Sequence, residues 1–236
     1  MPAHTGGARL HLTVDSETGA AEVDVDVHSV YNFGYAARDT SGVATHIAEL
    51  RELGLPAPTR LPAIFRIPPE RAQHTTGLPV CGDDTYGEVE FALINTHSGW
   101  LVTIASDHTD LDIEKVDMAK AKAACPDVIG DAAWRLDEVA GHWDDCELRL
   151  WGRTADGAEH LIQAGTVGHL LEPADMQRIL AERSGREPGP GTVILSGTID
   201  GAPTPGMCSW RATLADPHRG RTLSLDYTVI ALSPEI

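Results

Sequence analysis

Between Arg9 and Asp15 (RLHLTVD), and again between Glu22 and His28 (EVDVDVH), apolar residues fall at every second position. That is the period of half-buried strands, so a sheet begins at once. From Gly42 to Leu53 the spacing changes: Val43, Ile47, Leu50 and Leu53 share one helical face, and Gly54 with Pro56 ends it. A short amphipathic helix is expected there. A proline-rich connector runs from Leu55 to Pro69, after which Gly87–Asn95 and Trp100–Ser106 read as two strands of a hairpin turning at Thr96-His97-Ser98-Gly99. Cys146–Arg153 and Glu159–Ala164 repeat the device around Ala155-Asp156-Gly157, and Pro173–Glu182 has a helical pattern. Pro188-Gly189-Pro190-Gly191 breaks the chain before the apolar run Thr192–Leu195, and the strands Cys208–Leu214 and Thr222–Leu232 close it. With strands outnumbering helices and no regular alternation between them, the pattern predicts a mainly β fold with a few short helices.

Composition adds size and charge. The 236 residues are 42% hydrophobic and 5% aromatic, enough for a buried core. Eighteen Lys and Arg face thirty-five Asp and Glu, a formal charge of −17, and such a field repels phosphate backbones and anionic headgroups. Neither nucleic acid nor a membrane is expected as a partner. Residues 1–7 carry neither a basic start nor an apolar run, and no stretch approaches the roughly 18 apolar residues of a bilayer span. A cytoplasmic location follows as the expectation. Cys81, Cys125, Cys146 and Cys208 lack CxxC spacing, so they read as reduced thiols rather than a zinc site or disulfide framework.

Candidate chemistry begins at Tyr86-Gly87-Glu88-Val89-Glu90-Phe91. Glu88 and Glu90 stand two apart in a strand and so point to one face, while the residues after Glu90 turn apolar. The strand thus carries both acids toward the core, where like charges need a cation. Asp107 follows the paired strand, and the hairpin can return it beside them. Three oxygen ligands suit Mg²⁺ or Mn²⁺; a solvated acidic strand edge gives the same spacing. On the expected first helix, His46 and Glu49 are three apart and share a face. A carboxylate that orients one imidazole nitrogen makes the other a candidate general base for water, although an exposed surface pair has the same pattern.

The order of these motifs resembles the fumarylacetoacetate hydrolase superfamily, and within it a bacterial branch mostly unassigned in function. The likeness runs from about Tyr31 to Gly201: Gly34-Tyr35, His46-Ile47-Ala48-Glu49, Phe65-Arg66-Ile67, Glu88 and Glu90, Ser106-Asp107, and Lys122 ahead of Cys125-Pro126 and Gly130. Gln163-Ala164-Gly165-Thr166 and Pro190-Gly191-Thr192 through Gly197-Thr198-Ile199-Asp200-Gly201 continue it. Arg66 stands where the family has Lys, Ser106 where it has Asn, Leu111 where it has Arg, and Ile199 where it has Pro.

The resemblance implies a mixed β-sandwich roll spanning residues 1–236, with strands in 1–30, the motif-bearing core in 31–201 and closing strands in 202–236, assembled as a homodimer. It implies Glu88, Glu90 and Asp107 as ligands of Mg²⁺ or Mn²⁺, and His46, Glu49 and Lys122 as catalytic residues, with Lys120 the less favoured lysine. Gln163 and Thr198 would bind substrate. With Leu111 at the family's arginine position, Arg38, Arg66 or Lys115 would bind the substrate carboxylate. The implied activity is hydrolysis of a carbon-carbon bond in a small acylpyruvate-like oxo-acid. The alternatives are a decarboxylase, hydratase or isomerase of a related 2-oxo acid, and a non-catalytic metabolite-binding protein.

Overall fold

The computed structural model describes residues 8–39, 58–233 and 235. The helix expected over Gly42–Leu53, with His46 and Glu49, lies outside the described residues. The strands are β1 (Arg9–Ser16), β2 (Gly19–Asp26), β3 (Ser29–Gly34), β4 (Ala63–Ile67), β5 (Ala72–Gln73), β6 (Gly77–Cys81), β7 (Thr85–Thr96) and β8 (Gly99–Asp110) in the first half. Two short helices, α1 (Leu111–Glu114) and α2 (Met118–Ala124), lead to β9 (Asp127–Arg135) and α3 (Leu136–Val139). β10 (Glu147–Arg153), β11 (Glu159–Thr166), α4 (Pro173–Ser184), β12 (Thr192–Leu195), β13 (Ser209–Asp216) and β14 (Arg221–Leu232) complete the chain. The fold is mainly β with few short helices, as the pattern predicts, and its two sheets are mixed, as the resemblance implies.

One sheet has the order β2-β1-β9-β8-β7-β12-β3-β4, with β5 added beside β9, and the second runs β11-β10-β13-β14-β6. Pairing in the first is antiparallel except for β1 with β9, β12 with β3 and β5 with β9. β7 shows how the sheets share a core. Its alternation places Val89, Phe91 and Leu93 in a cluster with Leu148, Trp210, Leu214, Leu225 and Tyr227 of the second sheet. Ala92 and Ile94, on the opposite face, join Leu10, Leu12, Val27, Leu101 and Val193. A strand buried on both faces loses the polar half of its alternation. This is why β9, in which Asp131 alone is exposed, carries no clear strand signal in the sequence.

β4 lies inside the segment read as a connector. β6 is likewise absent from the sequence pattern, because Pro79 removes a backbone donor; as an edge strand, paired among the described residues with β14 alone, it tolerates that loss while burying Leu78 and Val80. The β7–β8 hairpin turns on His97-Ser98, pairing Thr96 with Gly99, and α4 ends at Gly185 in the left-handed conformation. All four cysteines are free. No described helix is long and apolar enough to cross a membrane.

Gly191 closes the junction of β12 with β3 and β7. Its carbonyl accepts from His28 N at 2.8 Å and its N–H donates to Asn95 O at 2.9 Å. With φ +82° and a would-be Cβ 2.4 Å from Asp26 O, the position excludes any side chain. Gly19 has φ +113° but open space around it. Gly191→Ala should therefore lower unfolding free energy by about 2 kcal/mol or more, against about 1 kcal/mol for Gly19→Ala. Urea denaturation of the two variants measures the difference, and equal losses would contradict the packing argument.

Candidate metal centre

β7 brings Glu88 and Glu90 to one face by its two-residue period, and antiparallel pairing sets Asp107 of β8 directly opposite Glu88. The three side chains offer carboxylate oxygens lying within 4.8 Å of one another, the one such group among the described residues. Glu90 and Asp107 are fully buried; Glu88 is partly exposed.

Backbone and side-chain donors hold the oxygens. Gly197 N–H donates to Glu90 Oε2 at 3.0 Å, and Asn32 of β3 donates to Asp107 Oδ2 at 3.1 Å and reaches Glu90 Oε1 at 3.5 Å. Gly197 has φ +77°, and a Cβ there would sit 2.2 Å from Phe33 O, so only glycine lets this amide approach. Lys122 projects from α2, where Asp117 caps the helix by accepting from Lys120 N at 3.2 Å. The Lys122 ammonium donates to Glu88 Oε2 at 3.1 Å and makes a short contact with Asp107 Oδ2. Lys120, 78% exposed, pairs with Asp117 instead.

A fourth acid, Asp127 at the start of β9, is fully buried, and neither of its oxygens has a hydrogen-bond donor among the described residues. Burial, with Asp107 and Glu90 nearby, holds its carboxyl well above the ordinary range. Burial also raises Glu90, with Asp107 adding to the effect, and raises Glu88 against the opposing pull of Lys122. For Lys122 burial works against the charge, yet Asp107, Glu88 and Glu90 keep the ammonium well above its usual value. One buried cation thus faces more than one buried anion, and the surplus demands protons or a further cation. The donor set, three hard carboxylates converging beside a cleft, fits Mg²⁺ or Mn²⁺.

The second sheet braces this arrangement. Tyr227 Oη lies 2.9 Å from Ser106 Oγ and 3.0 Å from His108 Nδ1, while His108 Nε2 lies 2.9 Å from Thr85 Oγ1. The residues flanking Asp107 are thereby tied to β14. Burial pushes the His108 imidazole down to about 4, so it acts as a neutral link. Gly87 is needed at this contact, since a Cβ would come 2.6 Å from Tyr227 Oη.

Gln163 and Thr198, expected at the substrate, also serve the strand. Upstream of its pairing with β12, β7 leaves Val89 without a strand partner on that side. Val89 N–H donates to Gln163 Oε1 at 2.9 Å, and Thr198 Oγ1 donates to Val89 O at 2.9 Å. Gln163 Nε2 then donates to Thr198 Oγ1 and Ile199 O. Thr198 lines a cleft of about 980 Å³ together with Glu88, Lys122 and Arg38, but the Arg38 guanidinium is paired with Asp144 at 2.7 and 2.8 Å. Arg66 is exposed on β4 and does not line that cleft, and Lys115 is exposed beside Asp112 and Asp84. Leu111 packs against the main core. Sequence reasoning misses Asn32 and Asp127: each is a lone polar residue in a short apolar segment, a weak signal without a fold.

The chain has a mixed-sheet α+β fold of the fumarylacetoacetate hydrolase type with a carboxylate cluster at its cleft. The chain belongs to the family described as "Protein of unknown function (DUF2848)", whose profile matches residues 33–227. Among solved structures it is similar to Cg1458 (14% identity, TM-score 0.61, covering 95% of this chain and 100% of that one). It is also similar to 2-keto-3-deoxy-D-arabinonate dehydratase in its apo form (16%, 0.60, 88% and 74%). A third similar structure is that dehydratase complexed with magnesium and 2,5-dioxopentanoate (17%, 0.58, 87% and 73%). No curated protein matches the sequence.

The raised carboxyls give the metal-free protein a definite pH dependence. Glu88, Glu90 and Asp127 bind protons in the folded state that the unfolded chain releases near pH 4. Their contribution to stability is full below that pH and is lost as pH rises through the folded values. Metal binding, which needs ionised carboxylates, strengthens over the same interval. In chelator, the Tm of Glu90→Gln should fall less than that of the parent between about pH 5 and 8, as thermal unfolding across that series measures; parallel curves would contradict the assignment.

Proposed function

We propose that this protein is a divalent-metal-dependent enzyme acting on a small 2-oxo acid. The observation that carries the reading is the meeting of Glu88, Glu90 and Asp107 with the Lys122 ammonium at the edge of a cleft sized for a small metabolite. Glu88, Glu90 and Asp107 would hold the ion. When bound, Mg²⁺ or Mn²⁺ supplies charge neutralisation and Lewis acidity toward the vicinal oxygens of such an acid. Lys122 donates to the oxygen on which negative charge develops. Burial of Asp107 and Glu90 keeps water from competing for these contacts.

The finer reading is hydrolysis of a carbon-carbon bond in an acylpyruvate-like substrate. His46, oriented by Glu49, takes a proton from the attacking water, and the carbon leaving group departs as an enolate. A dehydratase or other lyase is the second reading, favoured by the fold likeness to a 2-keto acid dehydratase complexed with magnesium. Both need the same stabilised enolate, and they differ in whether water must be activated.

Purified protein with Mg²⁺ or Mn²⁺ should convert an acylpyruvate, oxaloacetate or a 2-oxo-alkenoate, followed by the ultraviolet absorbance of the enol. Metal binding without turnover of any 2-oxo acid would favour a metabolite-binding role. Glu88→Ala, Glu90→Ala and Asp107→Ala should each abolish metal binding measured by calorimetry; retained affinity in all three removes the site.

His46→Gln separates the two reactions. On the hydrolytic reading it lowers kcat by about 10²- to 10⁴-fold with metal affinity intact. Full turnover in that variant turns the assignment to the lyase.

A further inference from the structure

The cleft has a second polar wall that the metal-centred chemistry does not use. Tyr86, two residues before Glu88 on β7, donates from its hydroxyl to Glu114 Oε2 at 2.7 Å. Glu114 ends α1, whose start is fixed by Ile113 N–H donating to Asp110 Oδ1 at 2.9 Å. Both residues line the cleft with Tyr35, His169 and Asp200. Tyr35 follows β3 with φ +53°, the one described non-glycine residue in the left-handed region. A bulky side chain adopts that conformation only where the surroundings impose it, and such positions concentrate at ligand sites. Burial raises the Tyr35 hydroxyl, as does the Glu114 charge, so it stays an O–H group.

Among the described residues, the Lys and Arg side chains lining this cleft are Lys122 and Arg38. Lys122 is taken up by Glu88 and Asp107, and Arg38 by Asp144 and the carbonyl of Leu170. Against them the lining carries Glu88, Glu114 and Asp200. A divalent ion and Lys122 balance the three metal-site carboxylates, which leaves Glu114 in the cleft lining without a cation partner among the described residues. A substrate with a second carboxylate there would meet that charge, with no uncommitted guanidinium or ammonium among the described lining residues to receive it. A hydroxyl suits the place: it donates to the Glu114 carboxylate or to the Tyr86 oxygen, whose own proton is committed to Glu114.

Resting on the 2-oxo acid reading above, we infer that the cleft selects hydroxyl-bearing 2-oxo acids over dicarboxylic ones, with Glu114 and Tyr86 as the specificity-determining pair. The test is equilibrium binding rather than turnover, so it does not depend on which bond is broken. Calorimetry in Mg²⁺ compares three six-carbon probes: 2-oxohexanoate, 2-oxoadipate and 2-keto-3-deoxygluconate. The hydroxylated acid should bind at least about tenfold more tightly than 2-oxoadipate, a step of one decade in Kd. Glu114→Gln should narrow that ratio while leaving 2-oxohexanoate unchanged, a pattern that a merely structural defect does not produce. Equal or tighter binding of 2-oxoadipate or 2-oxohexanoate by the parent, or an unaltered ratio in Glu114→Gln, overturns the specificity assignment and leaves the 2-oxo acid reading standing. Mg²⁺ binding with no affinity for any of the three probes removes that reading and this inference together.

Discussion

The structure depends on how a set of buried like charges is kept tolerable. Glu90, Asp107, Asp127 and Lys122 are buried among apolar strands, with Glu88 at the border. A buried carboxylate without a partner costs several kcal/mol, so every neighbouring feature has to offset that cost. Lys122 supplies one positive charge, Gly197 and Asn32 supply neutral donors, and the remaining acids take up protons or a divalent ion. The arrangement is poor as a source of stability and well suited to holding a hard cation, a contrast typical of sites shaped by function.

Rigidity around that cluster comes from the second sheet. Tyr227 joins Ser106 and His108, the residues on either side of Asp107, while Gln163 and Thr198 satisfy the open backbone of Val89 between the two glutamates. Two strands that carry the acids are therefore fixed from one face by buried hydroxyl and imidazole groups and along one edge by an amide and a hydroxyl. The glycines at 87 and 197 are the spaces through which these supports approach. Residues that look like substrate contacts in a linear motif are, at Gln163 above all, occupied in holding the site's backbone.

Electrostatics links the site to the whole molecule. A chain with a formal charge of −17 attracts divalent cations and repels anions. An anionic substrate then gains most where the bound ion and Lys122 reverse the local sign. The cleft lining also carries the carboxyls of Glu114 and Asp200, which have no lysine or arginine partner among the described residues. Arg38, which the sequence offers as a carboxylate ligand, is held by Asp144, and Lys115 and Arg66 stand outside the cleft lining.

What the sequence by itself determined is local: the alternation of β7 and β8, their tight hairpin, the span of α4, and the shared face of Glu88 and Glu90. A period and a turn need only near neighbours, so they are written in consecutive residues. The place of Asp107 opposite Glu88 follows from the same hairpin register. β9 was not legible, because burial on both faces erases alternation, and β6 was hidden by its proline. Asn32, which is 75 residues from Asp107, and the Tyr86–Glu114 pair, 28 residues apart, acquire meaning only when distant segments meet. Asp127 becomes an anomaly only once the described residues around it are seen to bury it without offering a donor. Which charges are compensated is a property of three-dimensional neighbours, and only the tertiary structure decides it, since Coulomb and desolvation energies depend on separation in space and not along the chain.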